Sequence, residues 1–299
     1  PPGGPTFLAD CPAPCPRSRK PHHASNDSIE VPLFAQRDAT VAAAMTSPLD
    51  IGIVAGFGLA IGSFVNVCIY RLPRGESVVS PASRCPSCGQ RLRWLDNIPI
   101  FSWMYLGGRC YHCRCAVPSV YPIVEAVTGM AFALQFWQLG WQPLLAVRLL
   151  FVAAMILLFV IDLQHRMLPN VVTLPGVTIG LVASVFLEPG WRAAVLGVVI
   201  GGGALWAIGE AYLRIRGEEG MGFGDVKMLA MIGAFLGWQL TLTTVIIASL
   251  TGALVGGIMV SFDRANMKYP LPLGSFLAAS AVIAAHVGQP LVEWYLGFY

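Results

Sequence analysis

Residues 144–162 read LLAVRLLFVAAMILLFVID. The run from Leu144 to Ile161 holds one charge, Arg148, and closes on an acid, Asp162. Roughly 20 apolar residues in a helix cross a hydrocarbon core about 30 Å thick. Asp162 therefore stands at the edge of a membrane span, where burying a carboxylate costs about 2.5 to 3.5 kcal/mol even on a mild scale.

The composition generalises that reading. Apolar residues make up 56% of the chain and charged residues 12%, with a net charge of +3 and a mean hydropathy of +0.66. Soluble domains carry about 25% charge, so a soluble globular protein is excluded. Apolar segments fall at 51–70, 121–138, 144–161, 171–187, 193–213, 228–238, 240–260 and 271–287. The expectation is an all-α polytopic membrane protein of about eight transmembrane helices. The segment 228–238 is the weak member, since 11 residues rise only about 17 Å.

Basic residues set the orientation, because they collect on the cytosolic side. With the first segment ending in the cytosol, Arg71, Arg74, Arg84, Arg91, Arg93, Arg109, Arg114, Arg166, Arg214, Arg216, Lys227, Arg264 and Lys268 all fall inside. Only Arg148 and Arg192 fall at outer ends. Residues 1–44 are rich in Pro, Ala and Ser with no helical or strand period, and read as a disordered or non-native extension. Met45 reads as the native start. Cys11, Cys15, His22 and His23 there form at best a weak metal pair.

Residues 71–118, between the first two helices, form a small cytosolic domain in which Cys85-Pro-Ser-Cys88 and Cys110-Tyr-His-Cys113 are paired C-x-x-C motifs. Such pairs are the mark of a zinc-ribbon-like thiolate site, and a reducing compartment argues against disulfides. Cys115 and His112 are alternatives for the fourth position. Four protein ligands would make the zinc structural, folding the loop rather than performing chemistry. Cys68, inside the first apolar segment, reads as an inert core residue. Between the motifs, Asp96-Asn-Ile-Pro-Ile-Phe-Ser-Trp103 alternates in a way that suits a short strand or a membrane-surface contact.

A second acid, Asp225, ends the stretch Gly220-Met-Gly-Phe-Gly-Asp225. Topology places it at the same depth and on the same side as Asp162. Two carboxylates sharing one proton can activate a water against a peptide carbonyl. Gly222 and Gly224 fit a backbone that another chain approaches closely. Asp225 begins a helix and Asp162 ends one, so the two helix dipoles predict that Asp162 holds the shared proton and Asp225 is the base. Glu125 and Glu210 read as interfacial anchors, as do Trp137, Trp141, Trp191, Trp238, Trp294 and Tyr295. The glycine runs 197–203 and 252–257 read as close helix packing.

These residues together resemble a known family. Gly222-Phe-Gly-Asp225 looks like the GxGD motif of membrane aspartyl proteases. The 62–77 stretch GSFVNVCIYRLPRGES, the four-cysteine loop, Asp96-Asn-Ile-Pro99, Tyr121-Pro-Ile-Val-Glu125 and Asp162…Pro169-Asn170 resemble the bacterial type IV prepilin leader peptidases, over about residues 51–290. The resemblance implies cleavage of the basic leader of prepilins and pseudopilins at the cytosolic membrane face. Methylation of the new N-terminus with S-adenosylmethionine would follow. It implies Asp162 and Asp225 as catalytic residues, Cys85, Cys88, Cys110 and Cys113 as zinc ligands, and a bacterial inner-membrane location. Residues 119–299 would then be the catalytic membrane domain, following a first helix within 45–70. No Rossmann fingerprint marks a methyl-donor site, and no nucleic-acid partner is expected. The rival readings are a proton-coupled transporter, a zinc-ribbon docking scaffold, and an intramembrane protease that does not methylate.

Overall fold

The computed structural model describes residues 47–80, 83–85, 87–217, 222–262 and 272–297; residues 1–44 and their Cys and His pairs lie outside that range. Ser47 caps the first helix by accepting from Asp50 N at 3.1 Å, and Pro48 sits in its first turn, where a missing N–H costs nothing. The helices are α1 (Pro48–Arg71), a short α2 (Phe101–Tyr105), α3 (Val120–Leu139), α4 (Pro143–His165), α5 (Asn170–Phe186), α6 (Trp191–Arg216), α7 (Phe223–Phe262) and α8 (Leu273–Leu296). Six are long and apolar enough to cross a membrane by length and composition, and α5 is a shorter apolar helix.

Among the described residues each of the eight apolar segments is helical through its core, 171–187 ending at Phe186 and 271–287 beginning at Leu273. The two expected at 228–238 and 240–260 run together as α7, broken at Gly237, whose φ of 77° no helix interior adopts. A Cβ there would also lie 3.0 Å from Pro189. The weak segment is longer than its apolar run because the helix begins at Phe223. That start brings Asp225 into the first turn.

Helix α4 is the centre of the bundle. Phe151, Val152, Met155, Leu158 and Ile161 are fully or almost fully buried, and they pack with Cys68 and Ile69 of α1, Met228 and Ile232 of α7, and Ala278 and Ala281 of α8. A helix apolar all round belongs inside the protein rather than against lipid. Cys68 is buried in this cluster, as expected. At the far end of the bundle, Gln135 of α3 lies 3.1 Å from His286 of α8.

The glycine runs divide. Gly197 of α6 meets the backbone of Gly233 of α7, and a Cβ on Gly201 would lie 2.9 Å from Leu229 O. Such closeness lets α6 and α7 pack backbone to backbone. Among the described residues Gly203 and Gly257 meet nothing within 4 Å, so close packing with them does not extend that far. Trp137, Trp141, Trp191 and Trp294 are exposed, as interfacial anchors are.

The alternating residues 96–103 form no strand. Trp94–Asn97 is a single 3-10 turn, and Phe101–Tyr105 is helical. The cause is local: Asp96 accepts from Arg93 N at 3.2 Å and from its guanidinium at 2.9 and 3.1 Å, closing the turn on itself. These hydrogen bonds with Arg93 also hold the Asp96 carboxyl below the usual carboxylate range.

Candidate active site and metal centre

Asp162 is the last-turn acid of α4 and is 5% exposed. Its Oδ2 accepts from Ser275 N at 2.6 Å and from the Ser275 hydroxyl at 2.8 Å; the Phe159 carbonyl is 3.3 Å from the same hydroxyl. Ser275 lies in the first turn of α8, which follows Pro272. The positive end of a helix dipole is thus aimed at Asp162.

Asp225 reaches the same place from α7. Its N–H donates to Gly222 O at 3.1 Å, which starts the helix. A Cβ built on Gly274 would lie 3.0 Å from both Cγ and Oδ2 of Asp162, and 3.2 Å from Oδ1 of Asp225. The two carboxylates therefore flank one glycine, and their separation is bounded by the sum of those approaches. The structure brings together two acids from different helices, as the topology argument expects.

The two glycines of the GxGD stretch differ. A Cβ on Gly224 would press on Leu168 at 3.1 Å, so residue 224 is small because the 166–169 turn packs against it. Among the described residues, a Cβ on Gly222 would have only Asp225 Oδ2 near, at 3.6 Å. Beside them, Lys227 Nζ donates to Asn170 Oδ1 at 2.9 Å, tying α7 to the start of α5.

The proton placement expected from two dipoles overlooks α8. Its first turn gives Asp162 two donors at the end of α4, where an expectation from helix ends counts only the dipole of α4 itself. The sequence hides this partner 113 residues downstream. A signal was present: Pro272 followed by Gly274-Ser275 opens an apolar run on the same membrane side as Asp162.

The four cysteines also converge. The Sγ atoms of Cys85, Cys88, Cys110 and Cys113 all lie within 4.8 Å of one another, Cys85 and Cys113 being 3.8 Å apart. Cys115 is exposed and outside the cluster. The two motifs are copies of one knuckle. Cys85 O accepts from Gly89 N as Cys110 O accepts from Arg114 N, and Cys85 N donates to Gln90 O as Cys110 N donates to Cys115 O. Bridges Arg84–Arg91 and Arg109–Ala116 close each copy. Gly89 at φ 69° and Arg114 at φ 60° hold the same left-handed position. Cys115 thus occupies the place of Gln90 and is a knuckle residue.

The Cys88 thiol is pushed up to about 11: a hydrogen bond from the Gln90 backbone lowers it, but burial and the Cys85 and Cys113 sulfurs prevail. Four sulfurs in this geometry fit a tetrahedral divalent ion. Such a site links metal to folding. A metal held by these sulfurs would make Cys110→Ser lower the zinc content of the purified chain, measured by plasma emission, well below that of the parent. Limited proteolysis should then cut within residues 75–118 of the variant.

Glu125 departs from its expected role. It is 8% exposed, and its Oε2 accepts from Ile100 N at 2.7 Å. Ile100 has a φ of 59°, a strained value for a β-branched residue, so Glu125 clamps an unfavourable turn in the 96–100 loop. Glu210 pairs with Arg214 at 2.9 Å on an exposed face.

Fold and site together define a multi-pass membrane protein with an acid pair at the ends of two apolar helices and a four-thiol knuckle in the loop after the first. The sequence pattern of the Bacterial Peptidase A24 N-terminal domain matches residues 57–139, and that of the Type IV leader peptidase family matches residues 149–257. A prepilin leader peptidase/N-methyltransferase of Pseudomonas aeruginosa is 35% identical over 265 residues, 81% of this chain and 91% of its own length. One from Dickeya chrysanthemi is 40% identical over 254 residues, 76% and 88%, and one from Xanthomonas campestris 35% over 277, 84% and 96%. No solved structure matches the chain. The chain belongs to the type IV leader peptidase family.

Proposed function

We propose that this chain cleaves the basic leader of type IV prepilins and pseudopilins at the cytosolic face of a bacterial inner membrane, and then methylates the freed N-terminus. The observation that carries the cleavage reading is the meeting of Asp162 and Asp225 across Gly274. The positions of the basic residues support a cytosolic site, and the names of the relatives support the methylating step.

In this reading Asp162 is the base: its Oδ2 is engaged by the Ser275 N–H and hydroxyl, and its Oδ1 is left for a water. Asp225 holds the proton of the pair and gives it to the carbonyl oxygen of the scissile bond. The assignment reverses the one drawn from the dipoles of α4 and α7 alone. Isotope-edited infrared spectra test it: a protonated-carboxyl band should vanish in Asp225→Asn and persist in Asp162→Asn. The opposite pattern overturns the assignment.

Cys85, Cys88, Cys110 and Cys113 would hold a structural zinc ion that fixes the 71–118 loop over the membrane face. S-adenosylmethionine, when bound, supplies a methyl group to the neutral N-terminal amine; the S–CH₃ electron pair returns to sulfur, and the amine's surplus proton leaves to solvent.

The direct test incubates the purified chain with a prepilin and isotopically labelled S-adenosylmethionine and weighs the product. The expected result is loss of the leader mass followed by gain of one methyl. An intact precursor under conditions where a family relative cleaves it would overturn the proposal. A cleaved but unmethylated product would remove the second step alone.

A further inference from the structure

The two acids of the pair are held unequally. Asp162 takes two hydrogen bonds from Ser275. Among the described residues the Asp225 carboxylate takes none, and the bond from its N–H to Gly222 O belongs to the backbone. Its place beside Gly274 therefore depends on how the first turns of α7 are set. That start includes Gly222 and Gly224, which add little stiffness of their own. The first amides of a helix also lack intrahelical partners, so it frays most readily there. We propose that Lys227 and Asn170 form a latch that positions Asp225 against Asp162, which rests on the acid-pair reading above.

The geometry of α7 gives the latch its leverage. Lys227 Nζ donates to Asn170 Oδ1 at 2.9 Å and lies 4.7 Å from the Phe223 ring centroid. Residues 223 and 227 stand one turn apart and share a face of the helix. Asp225 lies midway between them in sequence, about 200° around the axis from each. A tie on the 223–227 face thus fixes the rotation that presents Asp225 on the other side.

The far end of the latch is rooted beside the other acid. Asn170 is the first residue of α5, and only residues 166–169 separate it from α4, whose last turn carries Asp162. Leu168 of that same turn is what a Cβ on Gly224 would meet at 3.1 Å. The start of α7 is therefore held at two points against the short connection that leaves Asp162. The spacing of the carboxylates is set through this path and not through the whole bundle.

A lysine at a cytosolic helix end is ordinarily an orientation charge. That role needs no partner. Here the ammonium makes a directed bond to a side chain 57 residues away in sequence, and bonds to a charged donor are the strong ones. Lys227 and Asn170 are positioning residues, since they act on the reaction only through Asp225.

The test uses the full chain in lipid nanodiscs with a prepilin as substrate. Asn170→Ala and Lys227→Met should each lower kcat by about 10- to 100-fold, the loss that follows a displacement near 1 Å at a reacting group. KM should stay within about twofold of the parent, because the latch makes no contact with substrate. The double variant should be no slower than the slower single one, because both changes remove the same bond. Asn170→Asp keeps an acceptor for the ammonium and should restore most of the rate that Asn170→Ala loses. Without substrate, amides of residues 223–229 should exchange faster in both single variants while those of α4 match the parent. Asn170→Ala at the parent rate would leave Lys227 an orientation charge only and overturn the latch. Losses that multiply in the double variant, or faster exchange in α4 as well, also overturn it. Should Asp225→Asn cleave at the parent rate, the acid-pair reading falls by itself, and the exchange result still decides the latch.

Discussion

Asp162→Asn and Asp225→Asn are each expected to lower leader cleavage on the order of 10⁴-fold, the range lost when one member of a concerted acid–base set is removed. The substitution keeps the side-chain volume and removes the ability to take or share a proton. In Asp162→Asn the amide oxygen can still accept from Ser275 N and Oγ, so the junction of α4 with α8 should persist. Circular dichroism, membrane extraction behaviour and zinc content should therefore match the parent. The double variant should be little worse than either single one, because acids that act together are not additive. A single variant that kept a tenth of the parent rate would show that this acid is not part of the chemistry.

Gly274→Ala is expected to cost on the order of 100-fold in cleavage while leaving the fold at least as stable. The two effects have opposite signs because they arise at different levels. Gly274 is the second residue of α8, where Ala still restricts the unfolded chain more than Gly does, a gain below the roughly 1 kcal/mol of a helix interior. The new methyl would sit 3.0 Å from the Asp162 carboxyl carbon and 3.2 Å from Asp225 Oδ1. Both carboxylates must then part by some tenths of an ångström or more. Displacements of about 1 Å at reacting groups cost about 100-fold in rate. Thermal unfolding followed beside cleavage kinetics separates the contributions. A fall in both together would mean that residue 274 serves packing and not the acid pair.

The fold was legible because the membrane imposes a one-dimensional rule: apolar length makes a span, and basic residues orient it. Among the described residues every apolar segment named from hydropathy is helical through its core, and the acids that end up adjacent were the two that topology placed at one depth. The cysteine cluster was legible from spacing alone, but the choice of Cys113 over Cys115 was not. That choice depends on the repeated knuckle, in which residue 115 stands where Gln90 does.

What escaped the sequence shares one cause, long-range contact. Asp162 takes its donors from Ser275, and Glu125 takes its donor from Ile100; neither pairing leaves a local pattern. The alternation at 96–103 misled because a short side-chain-closed turn has no period long enough to read. Gly203 and Gly257 carry the small-residue signature without the close approach that signature implies, since composition does not say which side of a helix meets a neighbour.

The tie between Asp162 and Ser275 spans 113 residues and joins the middle of the chain to its last helix. A ribosome delivers α4 to the bilayer long before α8. Until that final segment is threaded, the first acid lacks its two donors and the glycine that spaces it from the second. On the proposed reading of the acid pair, the growing polypeptide stays inert toward itself and its neighbours until α8 has been inserted.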